Sequence, residues 1–217
     1  SAKNKYEQVL KSSPEYEMVF NAKINLARSL ESGSRDTQKM RQKLLKMTKD
    51  DNNKEYLDQI YFTLAEMDIN NSDTLAAINN YLLSTVNSIE NNTQKSLSFL
   101  ALAKIDYNRS FYKDAKINYD STLFYMDEDF REYESAKEKH EILQELVYHL
   151  DVISLQDSLQ ALAALPASEL SQLISQLIQA EVKKESDALA AESSKQQMLY
   201  ENNRNGGKGE QFGNNTS

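Results

Sequence analysis

Two histidines, many carboxylates and one glycine pair are the residues of this chain whose types could do chemistry. His140 and His149 stand nine residues apart, about 180° around a helix, so they cannot grip one metal ion together. His140-Glu141 begins like the helix of a zinc hydrolase, but no second histidine follows at the spacing such a helix needs. Each histidine therefore reads as a surface or packing residue. No pair of carboxylates stands in the opposed environments that separate an acid from a base. Gly206-Gly207 has no strand before it and no Lys-Ser or Lys-Thr after it, which excludes a phosphate loop. The absence of cysteine removes disulfides and thiolate chemistry. Asn70-Asn71-Ser72 and Asn91-Asn92-Thr93 fit the glycosylation acceptor pattern, which means little in so Asn-rich a chain. The sequence thus offers no catalytic, cofactor-binding or metal residues, and it reads as a protein that is not an enzyme.

What remains is recognition, and charge gives the first indication. Residues 1–50 hold 11 Lys plus Arg against 6 Asp plus Glu, whereas residues 51–182 hold 9 against 22. The chain is polarised from +5 to -13. Arg35, Lys39, Lys43 and Lys46 follow one helix face beside the apolar stripe Met40, Leu44, Met47, with Asp36 the one acid between Arg35 and Lys49. Such a face is either solvated or a docking surface for an acidic protein. Nucleic acid is disfavoured as a partner because the net charge of -8 opposes a polyanion.

The elements that must position these residues recur at a fixed interval. Leu26-Ala27, Leu64-Ala65 and Leu102-Ala103 are spaced by 38 residues. At the same spacing Tyr61 matches Phe99, Asp68 matches Asp106, Ala77 matches Ala115, Tyr81 matches Tyr119, and Ser84 matches Thr122. The first copy is poorer, with Lys23 in the aromatic position and a second helix that aligns after a one-residue shift. Ahead of it, Ala2, Tyr6, Val9 and Pro14 repeat the order of a second helix, so the chain is expected to begin mid-repeat as a fragment of something longer. One unit reads as two antiparallel helices, with apolar positions three or four apart. Ala27, Ala65 and Ala103 are small where helix backbones approach closely, and a larger side chain there should cost roughly 1–3 kcal/mol. Stacked pairs would bury what one pair cannot.

These residues resemble the tetratricopeptide repeat (TPR), with Phe99, Leu102, Ala103, Tyr112, Ala115 and Tyr119 as the best copy and Pro14 as the preserved terminator. Asp68 and Asp106 depart from that family, which usually carries an aromatic there. The resemblance covers about residues 1–127 and implies a groove lined by the first helix of each pair. That would present Arg28, Glu66, Asn70, Lys104, Tyr107 and Asn108 to a partner, and Arg and Tyr suit such contacts.

Composition agrees with an all-α fold: a TPR-like antiparallel helix-pair solenoid, long C-terminal helices and a disordered tail. Among 217 residues there are 5 Gly and 2 Pro, too few for a β or α/β architecture. A mean hydropathy of -0.67 suits an elongated array with much surface. No apolar run approaches the ~20 residues that span a membrane. Start and stop signals predict helices from Pro14 to about Leu30, from an Asp36 cap to about Lys49, and from an Asn53 cap to about Asp68. Further helices are expected near 72–90, 93–108, 111–126 and 129–151. The expected parts are a repeat array over 1–128, capping or extension helices over 129–200, and a disordered Asn- and Gly-rich tail over 201–217. Residues 129–165 would cover the last apolar face of the array. Alternatively, the stripe from Leu170 through Leu173 and Leu177 to Val182 would dock on a partner.

The segment after the repeats is similar to a particular family. Glu145 to Leu150, Ser154 to Leu159, the Leu165-Pro166-Ala167-Ser168-Glu169 entry and the tail ending in Glu210-Gln211-Phe212-Gly213 resemble the PorW/SprE proteins, TPR lipoproteins of the Bacteroidetes type IX secretion and gliding machinery. The resemblance implies a periplasmic, outer-membrane-associated adaptor whose partners are other proteins of the secretion and motility complex. It implies no small-molecule substrate, and membrane contact only through a lipid anchor outside this fragment, since the family's lipid-bearing cysteine has no counterpart here. Two functions stand against each other: such an adaptor, or a structural module in which helices 152–182 pair with copies of themselves.

Overall fold

The computed structural model describes residues 5, 6, 8, 15–30 and 33–206, with side chains to residue 199. Among these the protein is all-α, without a strand. Eight helices are described: α1 (Tyr16–Arg28), α2 (Arg35–Met47), α3 (Leu57–Asn70), α4 (Thr74–Asn87), α5 (Asn92–Asn108), α6 (Tyr112–Tyr125), α7 (Tyr133–Ala163) and α8 (Ala167–Gly206). By internal packing the chain divides into two units, Ser1–Val152 and Ile153–Ser217. The division falls within α7, later than the boundary expected at residue 128.

Local signals explain most boundaries. Ser34, not Asp36, caps α2: its hydroxyl accepts from the Thr37 amide at 3.1 Å, and Asp36 sits inside the first turn, where a carboxylate favours the helix N-terminus. Asn53 is not a cap either. Asp50 caps a 3₁₀ turn over Asp51–Tyr56, and within it Asn53 is 1% exposed. Its amide donates to the Met47 carbonyl at 3.0 Å and its carbonyl accepts from the Tyr16 hydroxyl, so it ties α1 to the end of α2. Asp73 and Asn91 cap α4 and α5 through the Ala76 and Gln94 amides, each at 3.0 Å. The proposed terminator Pro14 and the positions Ala2 and Val9 lie outside the described residues, as does the tail from residue 207 onward; residues 201–206, expected to be disordered, continue α8.

The two best copies of the repeat turn in the same way. Ser72 and Ser110 adopt left-handed φ of 61° and 62°. The following amides, Asp73 and Phe111, return to the carbonyls of Asp68 and Asp106 at 2.9 Å each. These are the bonds of a Schellman ending, with serine where glycine is usual. The chain thereby reverses after three residues, and α4 lies antiparallel on α3, as α6 does on α5. Phe62 meets Tyr81 edge to face at 5.3 Å, and the Asp58 carbonyl at the other end of α3 accepts from Ser84 at 2.8 Å.

The core of the first unit runs along these pairs. Phe20, Ile24, Leu44, Ile60 and Leu64 pack together near its start. Phe62, Ala65, Ala77, Tyr81 and Leu102 join α3, α4 and α5. Leu100, Ala103, Ala115, Tyr119, Ala136 and Leu143 join α5 and α6 to α7. α7 packs on this core as far as Val147, whereas the apolar residues of 152–165 bury nothing fully. Ala65, Ala77, Ala103 and Ala115 are all 0% exposed. Replacing Ala65 with arginine would place both bulk and an unpaired charge into that contact, and should cost about 3 kcal/mol or more. Thermal unfolding followed by circular dichroism should show a drop on the order of 10 °C; an unchanged melt would mean that the repeat register is wrong.

Candidate partner-binding surfaces

The first-helix residues expected to meet a partner fall into two groups. Arg28 on α1 donates from Nε to Glu66 Oε2 on α3 at 2.7 Å, across the repeat spacing of 38 residues. The Arg28 guanidinium also lies 5.5 Å from the Phe62 ring centroid. Arg28 and Glu66, with Thr63, Asn70 and Tyr81, line a cavity of about 220 Å³. Burial pushes the Tyr81 phenol well above its ordinary range, the charges of Glu66 and Asp68 add to this, and Arg28 opposes it. Tyr81 therefore acts as a neutral hydroxyl. Lys104, Tyr107 and Asn108 stand one repeat further on. Lys104 and Asn108 are exposed, while Tyr107 is half-buried, edge to face with Tyr112 at 5.9 Å and with Lys139 Nζ 5.0 Å from its centroid.

Asp68 and Asp106, which depart from the TPR pattern, have a structural task. Asn80 Nδ2 donates to Asp68 Oδ2 at 2.7 Å, and Asn118 Nδ2 donates to Asp106 Oδ2 at 2.8 Å. Both bonds span 12 residues, so the same clasp closes each pair. Arg41 adds a second hold on Asp68, from Nη2 at 2.8 Å and Nε at 3.2 Å. The Asp106 carboxyl is pushed upward by burial, with Asp114 adding to the shift and Asn118 and Arg109 opposing it. Asn80 and Asn118 escaped the sequence reading, although their 38-residue spacing was there to be seen.

A second polar chain is buried where α3, α4 and α5 meet. Ser88 Oγ donates to Asp58 Oδ2 at 3.2 Å, Ser84 Oγ lies 2.7 Å from Ser98 Oγ, and Ser98 donates to the Gln94 carbonyl at 2.9 Å. Asp58 is 2% exposed. Burial raises its carboxyl above the usual range, and the Gln59 amide, Ser88 and Asn91 pull it back only in part.

Arg35, Lys39, Lys43 and Lys46 are exposed and, with Gln38 and Gln42, line a groove of about 720 Å³. None of the four makes an ion pair with a described residue. In the second unit Leu173 is half-buried and Leu177 exposed. His140 Nε2 contacts Asp120 Oδ1 at 2.5 Å, and no group of side chains that could hold a metal ion occurs among the described residues. No helix among the described residues is long and apolar enough to cross a membrane.

No protein-family model matches the chain, and no curated protein matches it significantly.

The raised Asp58 carboxyl fixes the sign of a pH effect. Because the folded state holds the proton more tightly than the unfolded state, Asp58 favours folding at low pH, and that contribution is lost as pH rises from the ordinary carboxylate range through the raised value. In Asp58→Asn the amide can donate to Ser88 Oγ, which itself donates to the Ser84 carbonyl at 2.9 Å. The variant should melt above the parent at neutral pH, with the gap closing in acid. A variant that melts lower at neutral pH would show that the ionised carboxylate stabilises the fold.

Proposed function

We propose that this chain is a non-enzymatic scaffold that holds other proteins on the first-helix surface of its array and on the basic face of α2. The observation that carries the proposal is the common register of Arg28, Glu66 and Lys104. Spaced by 38 residues, they occupy one equivalent position in successive first helices. A repeat array offers one such position per unit, and here the position reads cation, anion, cation. That row matches an extended or helical segment with alternating charge. Arg28 and Glu66 already satisfy each other at 2.7 Å, so a partner would exchange that pair for its own or lie alongside it. Such exposed pairs are worth only about 0–1 kcal/mol, which keeps the exchange inexpensive.

The finer reading rests on resemblance. The TPR-like positions, together with the segment after the repeats and its similarity to the PorW/SprE proteins, support an adaptor of a type IX secretion and gliding apparatus. In that role the protein would work in the periplasm at the outer membrane, joining secretion ring and motor components to the translocon. The exposed cations of α2 supply the means: Lys39, Lys43 and Lys46 present charge to acidic partners with no competing described counter-ion.

The test uses the full chain as bait in a Bacteroidetes envelope extract, alongside the triple variant Lys39→Glu, Lys43→Glu, Lys46→Glu. The parent should retain secretion ring, motor or translocon proteins. The variant, with an unchanged circular dichroism spectrum, should retain them roughly tenfold less well at low salt, where screening cannot hide the effect. Equal retention by both would remove the basic face from the interface, and recovery of the bait alone would refute the adaptor reading.

A further inference from the structure

A sustained apolar pattern lies on residues that bury almost nothing. Along α7, Tyr148, Val152, Leu155, Leu159 and Leu162 follow one another at spacings of four and three. That is the heptad rhythm that keeps one seam of a helix against a partner helix. In α8, Leu170, Leu173 and Leu177 keep the same rhythm, beside Ile174, Ile178 and Val182. Leu155 is 57% exposed, Leu159 48%, Leu177 61% and Ile178 59%. From residue 151 to 199 only Leu165, Leu170 and Leu173, close to the connection between the two helices, are even half-buried. The apolar side chains of both seams are largely uncovered, and apolar surface left uncovered in this way marks an interaction site.

The charge pattern identifies the occupant. Between residues 152 and 180 only Asp157 and Glu169 are charged, in a chain that is 27% charged. The seam is flanked by Gln156, Ser158, Gln172, Ser175 and Gln176. A foreign helix chosen by charge would call for charged flanks, since those positions set partner choice in paired helices. Two copies of this chain face the opposite requirement. Residues 51–182 carry -13, so copies repel wherever their acidic surfaces meet. The stretch 152–180 is where two copies can approach without setting rows of like charge against one another.

We propose that the second unit is a homotypic assembly module, in which the seams of α7 beyond Val152 and of α8 pack against the same seams of a second copy of this chain. The contact is isologous, so each copy offers one patch and receives the identical patch. Apolar side chains supply the attraction, and the flanking Gln and Ser can exchange hydrogen bonds without fixing a charge pattern. The assembly would display two arrays at once and raise the avidity for a divalent partner. The inference stands apart from the adaptor reading, because it concerns the second unit and its test needs no other protein.

Sedimentation equilibrium of the full chain, over a wide range of concentration, decides it. The parent should pass from one-copy to two-copy mass, and the pair should persist in high salt, because apolar contacts are not screened. Leu155→Glu with Leu159→Glu, and separately Leu173→Glu with Leu177→Glu, should each raise the dissociation constant on the order of a hundredfold. The melting transition of the array serves as the control for folding; Leu155, Leu159 and Leu177 are exposed, so it should not move. A chain that stays monomeric throughout would overturn the proposal, as would a pair indifferent to both double variants. A pair that dissolves in salt would overturn it too, and would point to the basic face of α2 against an acidic surface.

Discussion

Four alanines set the spacing on which the rest of the first unit depends. Ala65 with Ala77, and Ala103 with Ala115, are fully buried where the two helices of a pair meet. Any larger side chain at these points would hold the backbones apart. With the helices close, Phe62 reaches Tyr81, and the Asp68 and Asp106 carboxylates reach the amides of Asn80 and Asn118 at hydrogen-bond distance. The alanine contact is therefore the condition for the clasp. The clasp in turn returns orientation: an amide–carboxylate bond has a direction, whereas packing of methyl groups has little. A charged acceptor also makes the bond stronger than a neutral one, about 1.5–3 kcal/mol against about 1.

The same geometry distributes polarity through the array in a way that differs between pairs. Equivalent positions in successive first helices hold Phe20, Asp58 and Ser96, and all are buried. Around Phe20 the interior is apolar and aromatic, with Tyr56 stacked on the ring at 4.4 Å. Around Asp58 it is a chain of hydroxyls and a carboxylate, and no buried polar side-chain atom among the described residues lacks a partner. A satisfied polar chain of this kind favours one neighbour over another, since a pair shifted along the array would leave it unpaired. The repeats share a frame and carry different interiors, which gives each pair a fixed place in the order.

How much of this was legible in the sequence depends on how local each signal is. The 38-residue recurrence of Leu-Ala and of Ala followed by Tyr showed the helix pairs, because close packing must repeat when the backbone geometry repeats. Cap residues were harder. Asp36 and Asn53 are good cap types, yet Ser34 was nearer the start of α2, and Asn53 found a buried carbonyl at Met47 that no local rule foresees. Asp68 and Asp106 looked like departures from a pattern until their partners 12 residues downstream were seen. On the candidate surfaces, Arg28, Glu66 and Asn70 gather around one cavity, whereas Tyr107 is drawn into contact with Tyr112 and Lys139. The apolar residues of 152–165, expected with the rest of 129–165 to cover the last face of the array, are left largely exposed, because hydrophobic spacing states that a face wants cover and says nothing about which chain supplies it.

The central claim is that one polar clasp, repeated in register, closes the α3–α4 and α5–α6 pairs. Double-mutant cycles measure it most directly, with Asp68→Ala and Asn80→Ala in one cycle and Asp106→Ala and Asn118→Ala in the other, followed by denaturant unfolding. The account predicts a favourable coupling of about 1–2 kcal/mol in both cycles. It also predicts that Arg41 leaves the first cycle no weaker than the second. Additive effects in either cycle, within about 0.3 kcal/mol, would contradict the claim and leave the alanine contacts alone to hold the pairs.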